Sequence, residues 1–329
     1  MSSLEHSTPQ SMTSSLGRPS DAGFFSSARR MELPVGSHVD RDGVRGYPID
    51  MRVKAQSVPW PPASLAAPDA PFVAVAQYGL GCYERWLAGE GEAWLEAARA
   101  VGNHLVQAQE QDGAWLNRFS FPHTFLLKAP WPCAMAQGEG ASLLVRLYLE
   151  TGESRYAEAA CQAMEPFRHD SGSGGTRAFL EGDPWPEEYP TSPPSFVLNG
   201  AIFSWWGIRD VAVGLDDSRA AAEWSEGVNT LARHLEKFDT GWWSLYCLFP
   251  QPARPVASSF YHALHMAQLE AMNLLAPREA FQTTLRCWMT YSQSRACRSR
   301  ALAGKVLYRI VIPRNRLLAS RLPWITPSA

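Results

Sequence analysis

Residues 182–200 read GDPWPEEYPTSPPSFVLNG, which sets Glu187, Glu188 and Tyr189 among Pro184, Pro186, Pro190 and Pro193 just ahead of a helical pattern. Proline fixes its own φ and pushes the preceding residue toward extended backbone, so these side chains sit on a stiff loop. A carboxylate and a phenol held rigidly side by side can accept and donate protons. On spacing alone, an exposed loop with solvated carboxylates is the commoner arrangement. Tyr246 and Tyr261 end and begin the segments KFDTGWWSLY (237–246) and YHALHM (261–266); aromatic rings at such positions more often pack than react. His262 and His265, at i and i+3, would put two imidazoles on one helical face. No third ligand is signalled, so no metal is expected.

The elements that must position these residues form a repeat. WLAGEGEAWLEAARAVGNHL (86–105) and YLETGESRYAEAACQAM (148–164) align with an offset of 62 residues, Trp94 on Tyr156 and Glu96 on Glu158. A third unit runs through 196–215 and 218–235, and a fourth through 261–275 and 280–292. In each, apolar residues recur at i, i+3, i+4 and i+7, as on a helix with one buried face. Turn-rich inserts at 111–115, 169–175 and 238–243 follow the first three units. The pattern predicts an all-α dominated fold, an (α/α) toroid or incomplete α/α barrel of helix-hairpin repeats with short β-hairpin inserts around one open end.

Composition narrows the class. The 329 residues are 46% hydrophobic with 13 Trp, enough for one large core. Residues 1–40, opening on a Ser/Thr-rich stretch, are expected to be disordered, with Met31 a plausible start; a catalytic body is expected over 45–295 and a basic tail over 296–329. The six cysteines form no CxxC pair and read as buried, reduced thiols. No apolar run reaches transmembrane length and no signal-peptide pattern is seen, so the expected location is cytoplasmic. The net charge of −2 divides into −11 over residues 1–279 and +9 over the last 50, where no acid occurs. Such a tail suits peripheral membrane association or an anionic glycan, or is simply a solvated basic end. Nothing resembles a nucleic-acid-binding module.

The segments WPCAMAQGEGASLLVRLYLETGE (131–153), EEYPTSPPSFVLNG (187–200), KFDTGWWSLY (237–246) and FYHALHMAQLEAM (260–272) occur in the order that the C-terminal catalytic domain of D-glucuronyl C5-epimerases shows. Over roughly residues 45–295 the chain resembles that family, and GYPIDMRVKA (46–55) is similar to its lead-in. The resemblance implies the same toroid and the inversion of C5 of D-glucuronate to L-iduronate within an anionic uronate-containing polysaccharide, without a cofactor. It implies catalytic positions at Glu188, Tyr189, Tyr246 and Tyr261. Gln137 and Asn199 match polar positions of the family and either contact sugar hydroxyls or satisfy buried backbone groups. A family arginine three residues after the hairpin tyrosine is Phe249 here. Either Arg254, Lys128 or Arg118 replaces it at the substrate carboxylate, or the substrate is held differently, or activity is weak; His262, Arg254 or Arg118 would lower the pKa of Tyr261. A homodimer is among the expected assemblies.

The reaction fits these residue types. Removing the hydrogen α to a carboxylate adds negative charge to a charged group, so donors must stabilise the enolate. Inversion then needs proton carriers on both faces of C5. A polysaccharide lyase begins with the same abstraction, and a glycan-binding protein that has lost its activity would retain the cleft, so both readings stay open from sequence.

Overall fold

The computed structural model describes residues 33–56, 65, 67, 69–121 and 124–312. Helices dominate. They are α1 (Phe72–Leu87), α2 (Glu92–Ala108), α3 (Ala134–Thr151), α4 (Ser154–Gln162), α5 (Glu165–Arg168), α6 (Leu198–Gly214), α7 (Ser218–His234), α8 (Ser259–Leu275), α9 (Glu279–Gln293) and α10 (Arg295–Val311). Antiparallel pairs β1 (Leu116–Asn117) with β2 (Trp131–Pro132) and β3 (Arg177–Leu180) with β4 (Asp183–Pro186) are the short strands.

Helix boundaries follow local chemistry. Asp217 accepts from the Ala220 amide and starts α7, Ser258 accepts from Tyr261 and starts α8, and Ser294 accepts from Cys297 and starts α10. Gly152, at φ 72°, ends α3 in the left-handed conformation that favours glycine.

The helices pair as the repeats predict: α1 with α2, α3 with α4, α6 with α7, α8 with α9. The first members also touch in succession, α1 to α3, α3 to α6 and α6 to α8, which makes them an inner row. Burial agrees, since α3 and α6 bury nearly every residue along their length while α4 and α9 bury a single stripe.

The inner row is held by glycine at its tightest point. A Cβ on Gly207 would lie 2.2 Å from the Gly138 carbonyl oxygen, and one on Gly138 would lie 2.6 Å from the Ser204 Cα. Both obstacles are backbone and neither can step aside.

Charges inside the core tie the N-terminal strap to this row. Arg146 and Asp210, both fully buried, pair at 2.6 Å, and Arg146 also donates to the Gly46 carbonyl at 2.8 Å. Arg209 donates to the carbonyls of Asp40, Arg41 and Gly43 at 2.8, 2.7 and 2.9 Å. Val35 pairs with Ile49, and Leu33, Tyr47, Ile49 and Met51 are buried. Residues 33–40, expected to be disordered, are packed: Leu33 is buried, Val35 pairs with Ile49, the Pro34 carbonyl accepts from the Asp50 amide at 2.9 Å and the Asp40 carbonyl accepts from Arg209. Residues 1–32 lie outside the described part.

The expected tail boundary at 296 falls inside α10. That helix buries Ala301 and Tyr308, and Ala301 packs with Trp243, Val256 and Ala257. Residues 313–329 of the expected tail lie outside the described residues. No helix among those described is long and apolar enough to cross a membrane.

Substituting Gly207→Ala is expected to destabilise the protein by about 3 kcal/mol, read as a lowered midpoint in urea unfolding. A midpoint within error of wild type would show that α3 and α6 do not meet at this contact.

Candidate active site

The inserts reach the site through the first amides of the inner helices. The Phe72 amide at the start of α1 donates to Asn117 Oδ1 at 3.3 Å, in the insert that follows the α1–α2 pair. Ala134, at the start of α3, donates to the Glu187 carbonyl at 3.0 Å, and Leu198, at the start of α6, to the Tyr246 carbonyl at 3.1 Å. Each insert caps the inner helix of its own repeat. Helix N-termini carry orphan donors and partial positive charge, and two of the groups that satisfy them, the Glu187 and Tyr246 carbonyls, belong to Glu188's neighbour and to Tyr246 itself.

Glu187 and Glu188 divide into two roles. The Glu187 carboxylate accepts from Ser195 N at 2.7 Å, Ser195 Oγ at 2.6 Å and Phe196 N at 2.8 Å. It holds Phe196 at φ 47°, a conformation rarely taken by a bulky residue. Burial pushes Glu187 up to about 7, against the Ser195 and Phe196 bonds that favour its charge. Its oxygens are committed to the loop.

Glu188, 7% exposed, is not so committed. Burial pushes its carboxyl up to about 7; the Tyr189 hydroxyl lowers it, the Glu187 charge raises it and the Tyr246 hydroxyl lowers it. One oxygen, Oε2, has no hydrogen-bond partner and lies over Gly200 in the first turn of α6, where a Cβ would come within 2.3 Å of it. The glycine makes room for the carboxylate.

The tyrosines surround it. Tyr246 and Tyr261 meet edge to face with centroids 4.8 Å apart. Tyr189 stacks on Phe125 at 4.6 Å and leans on Phe121 at 5.1 Å and Trp131 at 6.0 Å. Burial, and then the Glu188 charge, raise both Tyr189 and Tyr246 well above the usual phenol value. Both are therefore hydrogen-bond donors at neutral pH. Phe249 packs on Phe125 at 5.4 Å, extending an aromatic wall where a cation was sought.

The structure thus gathers Glu188, Tyr189, Tyr246 and Tyr261, and treats the other candidates differently. Gln137 is buried and spent on backbone: it donates to Gly113 O and Ala163 O at 2.9 and 3.2 Å and accepts from Trp115 N at 2.7 Å. Asn199 is buried in the first turn of α6 and its Oδ1 has no partner. His262 and His265 share the Ser244 hydroxyl at 2.8 and 3.0 Å, and His262 stacks on Trp243 at 3.8 Å. Burial pushes His262 down to about 4, so it is neutral at physiological pH and supplies no cation to Tyr261. Arg118 is exposed, pairs with Glu110 at 2.6 Å and lines a separate shallow pocket with Phe72 and His104. Arg254 is exposed beside Pro255, whose carbonyl accepts the Tyr246 amide at 2.8 Å. Lys128 is exposed.

Sequence reasoning did not single out Gly200, Cys133 or Glu139. Cys133 precedes α3 and is buried where the Glu188 charge raises its thiol after burial has done so. Glu139, on α3, accepts from Gln77 Nε2 at 2.9 Å. Burial pushes it up to about 8, and Glu188 adds to the rise. The signal for Gly200 is a glycine in a helix's first turn, directly after an acidic loop.

Residues 109–290 match the family described as D-glucuronyl C5-epimerase C-terminus. A D-glucuronyl C5-epimerase of Caenorhabditis elegans is 31% identical over 219 residues, 61% of this chain and 36% of that protein. An uncharacterized protein of Methanocaldococcus jannaschii is 26% identical over 172 residues, 48% of this chain and 56% of that protein. The matches span between about a third and just over half of those relatives' lengths.

Four buried carboxyls set an expectation for pH. Glu84, Glu139, Glu187 and Glu188 rise to about 7, 8, 7 and 7 from 4.5. The folded state keeps protons that the unfolded chain has released. The stabilisation they contribute is therefore complete below about pH 4.5 and is lost as pH rises through 7 to 8. Thermal midpoints should fall between pH 5 and pH 8, less steeply in Glu139→Gln; midpoints that rise over this interval would contradict the assignment.

Proposed function

The chain belongs to the family of D-glucuronyl C5-epimerase C-terminal domains, and from that premise we propose that it inverts C5 of D-glucuronate residues within a polysaccharide. The observation that carries the reading is the Glu188 carboxylate, buried yet short of partners, between two phenols whose neighbour is Tyr261. The two rows of helices support an incomplete (α/α) toroid, with the inserts gathered at the rim where the inner helices begin. A polymer lies across that rim.

In this reading the half-buried phenols of Tyr189 and Tyr246 donate to the uronate carboxylate and strengthen as negative charge develops on the enolate. Glu188 takes or returns the C5 proton on one face. A carboxyl with a pKa near the working pH is suited to travel in both directions. Tyr261 serves the opposite face. Arg254, next to the Pro255 that pairs with Tyr246, takes the place of the family arginine replaced by Phe249. Asn199 offers its unpaired oxygen to a sugar hydroxyl, and Arg118 meets the polymer away from C5. His262 and Gln137 act by bracing the hairpin and the insert. The partner is an anionic uronate-containing polysaccharide.

Incubation with a glucuronate-containing glycan in deuterated water tests the reading. Deuterium should enter C5 of an intact chain, with iduronate formed. A product carrying a ring double bond would identify a lyase, and binding with neither label nor cleavage would identify a glycan-binding protein; either overturns the proposal.

Glu188→Gln keeps size but accepts no proton, so inversion should be abolished. Tyr261→Phe should lower turnover by a factor on the order of 10² or more. Normal turnover in either variant removes that residue from the mechanism. Gly200→Ala alters none of the proposed proton carriers chemically but would force Glu188 to move, since the new Cβ would lie 2.3 Å from its Oε2. Turnover should fall by about 10² in a protein that still unfolds cooperatively, and undiminished turnover would show that Glu188 acts from elsewhere.

A further inference from the structure

We propose that the outer face of α10 is a docking surface for an anionic lipid bilayer. Leu302, Val306, Leu307 and Ile310 leave 68%, 52%, 58% and 70% of their surface exposed. Three of them recur every fourth residue, so they form one stripe along the helix. Ala303 is exposed on the same side, and Met289 of the preceding helix is 48% exposed. Most other large exposed apolar residues in the described part occur singly; a run of four on one helix is the kind of patch that marks an interaction surface.

Charge identifies the occupant. Between Arg295 and Val311 the helix carries Arg295, Arg298, Arg300, Lys305 and Arg309 and no acid. On a helical projection Arg298, Lys305 and Arg309 border the stripe on one side and Arg300 on the other, while Arg295 lies on the line of the stripe two turns before Leu302. Arg300 lies over the Trp242 ring at 4.5 Å, and Lys305 donates to the Val256 carbonyl at 3.1 Å, so the rims of the stripe are held in place. An apolar stripe with cationic margins and an adjacent tryptophan matches the boundary of an anionic leaflet, where apolar side chains enter the acyl region and cations stay among headgroups.

Other occupants fit less well. A second copy docking face to face would oppose two cationic helices. Residues 313–329 carry Arg314, Arg316 and Arg321 without an acid and would repel the same face. An anionic polysaccharide would pair with the cations but leave the apolar stripe in water.

The inner side of α10 links the surface to the cleft. Ala301 packs with Trp243, Val256 and Ala257, and Tyr308 donates to Gln251 Oε1 at 2.6 Å, on the hairpin that carries Tyr246. Docking would hold that end of the cleft at the membrane.

The full chain should co-sediment with vesicles of phosphatidylcholine containing phosphatidylserine and not with phosphatidylcholine alone, and rising salt should release it. Leu302→Gln with Ile310→Gln should weaken binding at least tenfold. Arg295→Gln with Arg298→Gln should weaken it roughly thirtyfold. All four positions are exposed, and unchanged thermal midpoints would confirm that the variants fold. The proposal is overturned by equal binding to both vesicle types, by no binding to either, or by wild-type binding in both variant pairs. It is also overturned if light scattering finds a dimer that the Leu302 and Ile310 changes dissociate, since a second copy would then cover the face.

Discussion

A helix cannot leave its first amides unpaired beneath a packed surface, and in this protein the inserts supply the acceptors. Asn117 serves α1, the Glu187 carbonyl α3, and the Tyr246 carbonyl α6. The arrangement follows from the repeat: the loop leaving each hairpin returns over the start of the same hairpin's inner helix. Because Glu188 adjoins one acceptor and Tyr246 is another, satisfying the backbone assembles the site. The candidate site is placed by capping.

Two adjacent glutamates meet different ends on the same insert. Glu187 spends its oxygens on Ser195 and Phe196 and holds a strained turn in place. Glu188 is left with an unpartnered oxygen over Gly200. An acceptor held without its full set of donors in a dry setting costs stability, and such costs tend to be retained where they are used. Stiffness in the segment comes from Glu187 as well as from its prolines. This lets Glu188 stay both desolvated and fixed.

The helical pairs were legible because buried faces leave a period of 3.6 in the sequence, and because Trp94 and Tyr156 mark equivalent helices. Glu188, Tyr189, Tyr246 and Tyr261 were legible through the family's ordered motifs, and the structure brings them together. What could not be read were contacts between distant segments. His262, one of three candidate cations, is enclosed by Trp243 and Trp288, and of the two roles open to Gln137 it takes the backbone one, bound to three main-chain groups. Residues 33–43 lack periodicity because many of their anchors are backbone groups, the Pro34 carbonyl bound to the Asp50 amide and the Asp40, Arg41 and Gly43 carbonyls bound to Arg209, contacts that leave no trace in side-chain pattern. In α10, composition revealed the charge, whereas the exposure of Leu302 and Ile310 required the packed structure.

Everything proposed for the reaction depends on Glu188 being a desolvated carboxyl poised between its two protonation states. The most direct test is the titration of its carboxyl carbon by NMR in glutamate-labelled protein, the resonance assigned by its loss in Glu188→Gln. A midpoint near 7 is predicted. A midpoint at the ordinary value of 4.5 would show a solvated carboxylate and contradict the account.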